Sequence, residues 1–251
     1  GAGKTATLKL IAQALSDKRG MYLAFNKAIA DEAKQKMPNN IDSRTFHSLA
    51  FKNVSKKITE KTKKGFKLTA TTFADSDICI NSSKSVLGKI PSELLEKLRE
   101  VEELKGKDPN SIETEHIIDI DATKQFKILS LAINNFLNST DTNPSEKHLN
   151  KAIHKAIEAE LDSNDTAMIA EWLLPSLQQL WNDYRSENGK FQIPHDVYLK
   201  LYALQKPRID TDFILFDEAQ DADALMLDIL SNQTAKLIFV GDRYQQIYDL
   251  S

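Results

Sequence analysis

Residues 213–223 read FILFDEAQDAD, from Phe213 to Asp223. Four apolar side chains run straight into two acids, Asp217 and Glu218. Ala219, the amide of Gln220 and a third acid, Asp221, follow. A short apolar run bounded by polar residues has the signature of a strand buried on both faces of a parallel sheet. Ionised carboxylates at the edge of a core are costly unless something binds them. The chemistry of this strand end therefore turns on what the rest of the chain brings to it.

The bulk properties restrict the answer. The 251 residues allow one or two domains with a real core. Hydrophobic residues make up 41% and charged residues 27%, as in an ordinary globular protein. The formal charge of −3 gives no global attraction for a polyanion, so any nucleic-acid site must be a local patch. A single cysteine, Cys79, excludes a disulfide within the chain. There is no secretory leader and no long apolar run, so no membrane partner is expected. An intracellular setting is predicted, with a bacterial cytoplasm preferred over a eukaryotic nucleus.

Periodicity divides the chain into three parts. Thr5 to Asp17 has helical spacing, with Leu8, Ile11, Ala12 and Leu15 on one face. Met21–Phe25 reads as a buried strand and Lys27–Met37 as a helix. Ile41 opens another strand, and Ser43 or Thr45 caps a helix that runs to about Asn53. Long helical patterns then dominate, most clearly Ala122–Leu137, Glu146–Leu161 and Thr166–Asn188, whereas residues 55–120 are polar and harder to read. After Pro207 the α/β character returns, with a strand at Phe213–Phe216, a helix at Asp223–Leu230 and a strand at Lys236–Val240. The pattern predicts an α/β parallel-sheet domain, residues 1–54 and 207–251, interrupted by a mostly helical insertion, residues 55–206.

The chain opens Gly1-Ala-Gly-Lys-Thr5, the tail of the phosphate-loop pattern GxxxxGK[ST]. Glycines let backbone N–H groups approach phosphate oxygens, and the following helix N-terminus adds positive potential. Gly1, Ala2, Gly3, Lys4, Thr5 and Ala6 form the predicted nucleotide-binding set. Lys4 would reach the β- and γ-phosphates, and the Thr5 hydroxyl would bind Mg²⁺. Such a loop normally follows a strand, so the chain is expected to be part of a longer one. Asp217 can hold the metal through its water shell, and Glu218 can polarise the attacking water. The competing role for the acidic loop is to cap the next helix, which suits Asp221 or Asp223. In a parallel sheet the carboxyl ends of the strands share one crevice. Gln245, after the last strand, could then sense a γ-phosphate, and Tyr248 could stack on a base or pack in the core. More than two hundred positions separate Lys4 from Asp217, and the helical middle accounts for the excess.

GAGKT, AFNKAIADEA, TFHSLAF, ILFDEAQD and VGDRYQQIY, in that order, resemble the motifs of UvrD/Rep-type superfamily 1 DNA helicases. The spelling is nearest to the F-box DNA helicase branch and its bacterial relatives, which share a similar HDVYLKLYAL stretch. The motifs span nearly the whole chain, although residues 55–180 match by position alone. The resemblance implies a RecA-like P-loop motor domain with an inserted helical domain. It implies ATP and Mg²⁺ as cofactors and 3′→5′ movement on single-stranded DNA and at duplex junctions, by a monomeric motor. Position by position, it gives Lys4 and Thr5 the phosphate and metal roles and makes Asp217 and Glu218 the acidic pair. The resemblance also gives Gln245 the role of coupling nucleotide to DNA. Phe25, Asn26 and Lys27, then Thr45, Phe46 and His47, match two DNA-contact segments. A second motor half carrying an arginine finger would lie outside this chain, so slow hydrolysis by the chain alone is expected.

The residues themselves bear on these contacts. A moving grip on a strand needs backbone contacts and stacking, and Phe25, Lys27, Thr45 and His47 offer both. Each also has a structural alternative: Phe25 and Phe46 as core, His47 as a hydrogen-bonded side chain. Where the family offers an aromatic and an arginine after Tyr248, this chain has Asp249-Leu250-Ser251, and Arg243 replaces a small or acidic residue. That departure supports a second reading, a nucleotide-binding regulatory or effector module of helicase descent that does not unwind. RNA stays open as the polymer, because phosphate grips do not report the sugar. Lys52, Lys56, Lys57, Lys61, Lys63, Lys64 and Lys67 form a basic stretch suited to duplex phosphates or to solvation. Glu93–Glu103 reads as a solvated acidic face. His116, His148 and His154 lack metal-ligand spacing. Trp172 and Trp181 fall on an apolar stripe and are expected in the core.

Overall fold

The computed structural model describes residues 2–76, 78, 120, 122–157, 161 and 163–241. They belong to two compact units, one from residues 1–59 with 194–251 and the other from residues 60–193.

The first unit is a parallel α/β sheet. Helix α1 (Ala2–Ala14) leads into β1 (Gly20–Ala24), α2 (Lys27–Lys36), β2 (Ile41–Thr45) and α3 (Phe46–Asn53). Helix α4 (Lys56–Lys64) crosses the boundary between the units. The sheet unit resumes with a helix at His195–Leu204, then β3 (Phe213–Phe216), a helix at Ala224–Ser231 and β4 (Lys236–Phe239). The strand order is β2-β1-β3-β4, all parallel. Both central strands are buried throughout, which explains why they read as unbroken apolar runs rather than as alternation. Alternate side chains feed two cores. Tyr22, Ala24, Phe213 and Leu215 pack with Leu8 and Ala12 of α1 and with Ala30 and Ala33 of α2. Met21, Leu23, Ile214 and Phe216 pack with Phe46 and Leu49 of α3, with Tyr198 and Tyr202, and with Leu225 and Ile229.

The second unit is helical. It contains α5 (Ala70–Ala74), α6 (Ala122–Leu137), α7 (Glu146–Ala156) and α8 (Ser163–Arg185). The two helices of the sheet unit named above by their ranges are α9 (His195–Leu204) and α10 (Ala224–Ser231). Helices α6, α7 and α8 pack on one another, and Phe136 meets Trp181 edge-on at 5.0 Å. Among the described residues no helix is long and apolar enough to cross a membrane.

The α/β class holds, and several boundaries move. Helix α1 starts at Ala2, so Gly3 and Lys4 already lie in its first turn rather than in a loop before it. Helix α7 stops at Ala156 because Ile157 is extended, short of the expected Leu161. Helix α8 sits three residues earlier than its periodicity suggests and tolerates Pro175. Trp181 is buried as expected, whereas Trp172 is half-buried at the margin of the apolar stripe. The return to the sheet unit comes at residue 194, earlier than the expected 207. The reason is α9, whose Tyr198, Leu199, Tyr202 and Ala203 join the sheet core. An amphipathic pattern announces a buried face without naming the surface that covers it. Cys79, His116, Glu93–Glu103, Arg243, Gln245, Tyr248 and Asp249-Leu250-Ser251 lie outside the described residues, as does Gly1.

Candidate functional site

Parallel strands place all their carboxyl ends on one edge of the sheet. In register, Ala24 sits beside Thr45, Leu23 beside Phe216, and Phe216 beside Phe239. The segments beginning at Phe25, Phe46, Asp217 and Val240 therefore emerge on the same side. Lys4, in the first turn of α1, reaches this edge. Its Nζ lies 2.6 Å from Glu218 Oε2, across 214 positions of sequence.

Asp217 is 5% exposed. Its Oδ2 accepts from the Tyr22 hydroxyl at 3.0 Å, and its Oδ1 accepts from the Glu218 backbone N–H at 2.9 Å. Burial first, and then the Asp217 charge, push the Tyr22 phenol above its ordinary value. The phenol thus remains a donor throughout the working pH range. Glu218 adopts φ 53° and ψ 46°, which turns its side chain out of the strand line toward Lys4. Its Oε2 also accepts from Gln220 Nε2 at 2.6 Å. The Gln220 hydrogen bond, followed by the Lys4 hydrogen bond, holds the Glu218 carboxyl below the usual range. The turn itself is tied to the neighbouring strand end, because Ala219 N–H donates to the Val240 carbonyl at 3.1 Å. A Cβ on Gly241 would meet Gln220 Oε1 at 2.7 Å, so a side chain there would push Gln220 off its position.

The opening glycines behave differently. A Cβ on Gly3 would meet nothing within 4 Å, so among the described residues no atom demands a glycine there. Among the described residues, Gly3 leaves room at the helix N-terminus that a phosphate could use. Among the described residues no cluster of three or more His, Cys, Asp or Glu could hold a metal. Asp217, a single buried carboxylate at this strand end, instead fits a hard cation that keeps most of its waters and shares a substrate phosphate. Thr5, half-buried, follows Lys4 in the same turn.

The next two segments divide between surface and core. Phe25 is 39% exposed and Lys27 is exposed. Asn26 caps α2, accepting from Ile29 N–H at 3.0 Å. Thr45 caps α3 in a reciprocal pair with Ser48. Phe46 is 1% exposed and meets Phe216 edge-on at 5.4 Å, so the contact expected of it is corrected: its ring belongs to the core. Its position one residue after a cap on a sheet-facing helix makes that burial necessary. His47 Nε2 lies 3.0 Å from Asp196 Oδ1, and that hydrogen bond leads in lowering the Asp196 carboxyl. Asp223, not Asp221, caps α10, accepting from Met226 N–H at 2.7 Å.

Tyr22 and Gln220 are the site residues to which the sequence reading gives no role. A tyrosine inside a buried apolar run does carry a signal, since its hydroxyl needs a partner. Gln220 stands in plain sight within FILFDEAQDAD, two residues from the carboxylate it binds.

The family model for the UvrD/REP helicase N-terminal domain matches residues 1–250. The chain belongs to that family. Its α/β core is accordingly the RecA-like one. F-box DNA helicase 1 of Gallus gallus is 30% identical over 256 aligned residues, which cover 99% of this chain and 21% of that protein. F-box DNA helicase protein 1 of Schizosaccharomyces pombe is 28% identical over 258, covering 99% of this chain and 25% of that protein. This UvrD/REP-type chain thus spans between a fifth and a quarter of the length of these curated relatives. Two of the stretches that spell the family most closely also touch. TFHSLAF meets HDVYLKLY through His47 with Asp196 and through Phe51 edge-on to Tyr198 at 5.5 Å.

Proposed function

We propose that this chain is the ATP-binding half of a DNA helicase motor, with the sheet unit as motor domain and the helical unit as its insertion. The observation that carries this reading is the meeting of Lys4 with Glu218 at the carboxyl edge of the sheet. Two segments more than two hundred residues apart converge where phosphate chemistry needs a cation and a base.

In this reading the α1 N-terminus and Lys4 bind the triphosphate of ATP, with Gly1, Ala2, Gly3, Thr5 and Ala6 lining it. Thr5 and Asp217 would hold Mg²⁺, which neutralises the charge that develops on the phosphates. Lys4 pairs with Glu218 across the site. An arriving γ-phosphate competes for the ammonium and frees the carboxylate. Glu218 then takes a proton from water as its oxygen bonds to the γ-phosphorus and the bond to the bridging oxygen breaks. Like any glutamate without a raised pKa, Glu218 is ionised at neutral pH, and the Gln220 hydrogen bond favours that form. Gln245 is proposed to couple this step to the strand.

Phe25, Asn26, Lys27, Thr45, His47 and Tyr248 are the proposed contacts to single-stranded DNA. Asn26 and Thr45 would contribute through the helix N-termini they cap. Movement from 3′ to 5′, a monomeric motor and an intracellular setting complete the proposal. Both relatives are DNA helicases, which supports DNA over RNA. Alone, the chain is expected to hydrolyse ATP slowly, because the arginine finger of such motors comes from another segment.

The test is a pair of variants in the complete protein. Lys4→Ala should lose nucleotide binding and strand separation together. Glu218→Gln should still bind nucleotide while turnover falls by about 10²–10⁴-fold. Turnover retained in Glu218→Gln would remove the assigned base and with it the proposed reaction.

A further inference from the structure

Asp217 and Glu218 are adjacent acids with opposite circumstances. Glu218 has a cationic partner in Lys4, whereas among the described residues Asp217, although more deeply buried, makes no ion pair. A buried carboxylate without a counter-charge is strongly disfavoured unless its oxygens are hydrogen-bonded and a cation completes the site. Tyr22 supplies one of the two hydrogen bonds. It is 1% exposed and stands in the central strand β1, packed in one cluster with Leu8 and Ala12 of α1. Its hydroxyl is 3.0 Å from Asp217 Oδ2, while the Glu218 N–H takes Oδ1 at 2.9 Å. Each oxygen is pinned by one donor and keeps a further acceptor direction, because a carboxylate offers about four lone-pair sites in all. The donors therefore fix the plane of the carboxylate and leave it able to accept a cation or its waters.

We propose that Tyr22 is a positioning residue for Asp217: its phenol holds the carboxylate in the orientation that receives the divalent cation. The proposal rests on the reading of Asp217 as the metal-holding acid. A donor that holds a metal-binding carboxylate in place sets metal affinity without touching the metal. A phenylalanine would fill the same volume between sheet and α1 but would leave Oδ2 unpinned and buried.

The test uses the complete protein, Mn²⁺ as the probe and ADP as the nucleotide. Free Mn²⁺ is counted by electron paramagnetic resonance with saturating ADP, and ADP affinity is measured separately in EDTA. Tyr22→Phe should weaken Mn²⁺ binding by about tenfold while metal-free ADP affinity stays within about twofold of wild type. Both constants refer to the folded population, so their ratio survives any loss of stability in the variant. Asp217→Asn is the control and should weaken Mn²⁺ at least as much. If Tyr22→Phe binds Mn²⁺ like wild type while Asp217→Asn does not, the role of Tyr22 is overturned and the metal site stands. Equal weakening of Mn²⁺ and metal-free ADP also overturns it, since that marks a packing role alone. If Asp217→Asn leaves Mn²⁺ binding intact, the underlying reading of Asp217 fails.

Discussion

Glu218 sits at φ 53°, a left-handed conformation that costs a residue bearing a Cβ about 1–2 kcal/mol. That backbone aims its carboxylate at Lys4 and Gln220, so the strain and the site are one feature. Two truncations separate them. Glu218→Ala and Glu218→Gly both lose the ion pair, but only glycine relaxes the backbone. Glu218→Gly should therefore be more stable than Glu218→Ala by about 1 kcal/mol in chemical denaturation. The same carboxyl is held below its ordinary value of 4.5, so the folded state binds fewer protons than the unfolded state around that pH. Its contribution is complete above about pH 5 and fades as pH falls through the folded value. Glu218→Gln should lack this acid-side loss in a comparison of unfolding midpoints. At this scale the site is partly legible in sequence. Lys4, Asp217 and Glu218 stand in short local patterns that chemistry alone can interpret. Tyr22 is not legible as their partner, because its bond depends on the β1–β3 register that a distant segment completes.

Among elements, the end of α8 shows how a charged stretch divides. Lys61 belongs to the basic run yet is only 6% exposed. Its ammonium donates to the carbonyls of Asp183 at 2.5 Å and Ser186 at 3.1 Å, where a helix end leaves acceptors unsatisfied. It caps α8 and contributes no phosphate grip. Lys63, Lys64 and Lys67 of the same run are exposed. Lys61→Met should cost about 2–3 kcal/mol by stranding those carbonyls. Lys63→Glu with Lys67→Glu should change stability by no more than about 0.5 kcal/mol. Sequence could not sort these lysines, since a helical wheel gives each residue a face but not the partner waiting there. The same turn requires Gly189, where a Cβ would fall 1.9 Å from the Asp183 carbonyl oxygen. In α7, burial holds the His148 imidazole below its ordinary 6.5. The unfolded chain takes up that proton first, so stability of the helical unit should fall as pH drops below about 6.5. His148→Asn should flatten that slope.

On the scale of the whole molecule, ligand binding offers a readout that does not need catalysis. A nucleotide that binds only the folded protein stabilises it by about 2.7 kcal/mol at a hundred times its dissociation constant. A non-hydrolysable ATP analogue with Mg²⁺ should raise the unfolding midpoint of wild type and leave that of Lys4→Ala unchanged. The parallel sheet and its interruption were legible because buried strands and long amphipathic helices differ in period. The transition near residue 194 was not, because α9 looks like its helical neighbours until the sheet core claims it.

The pairing of β1 with β3 also governs how such a chain comes into being. β1 lies between β2 and β3, yet about 190 residues part it from β3. At ribosomal speeds of about 5–20 residues per second, β2 emerges within seconds and β3 only about 10–40 s later. For that interval one hydrogen-bonding edge of β1 faces the cell unpaired. The entropic cost of the detour grows only with the logarithm of its length. The heavier consequence is a delay, during which a nascent apolar edge is open to chaperones and to mispairing with other chains.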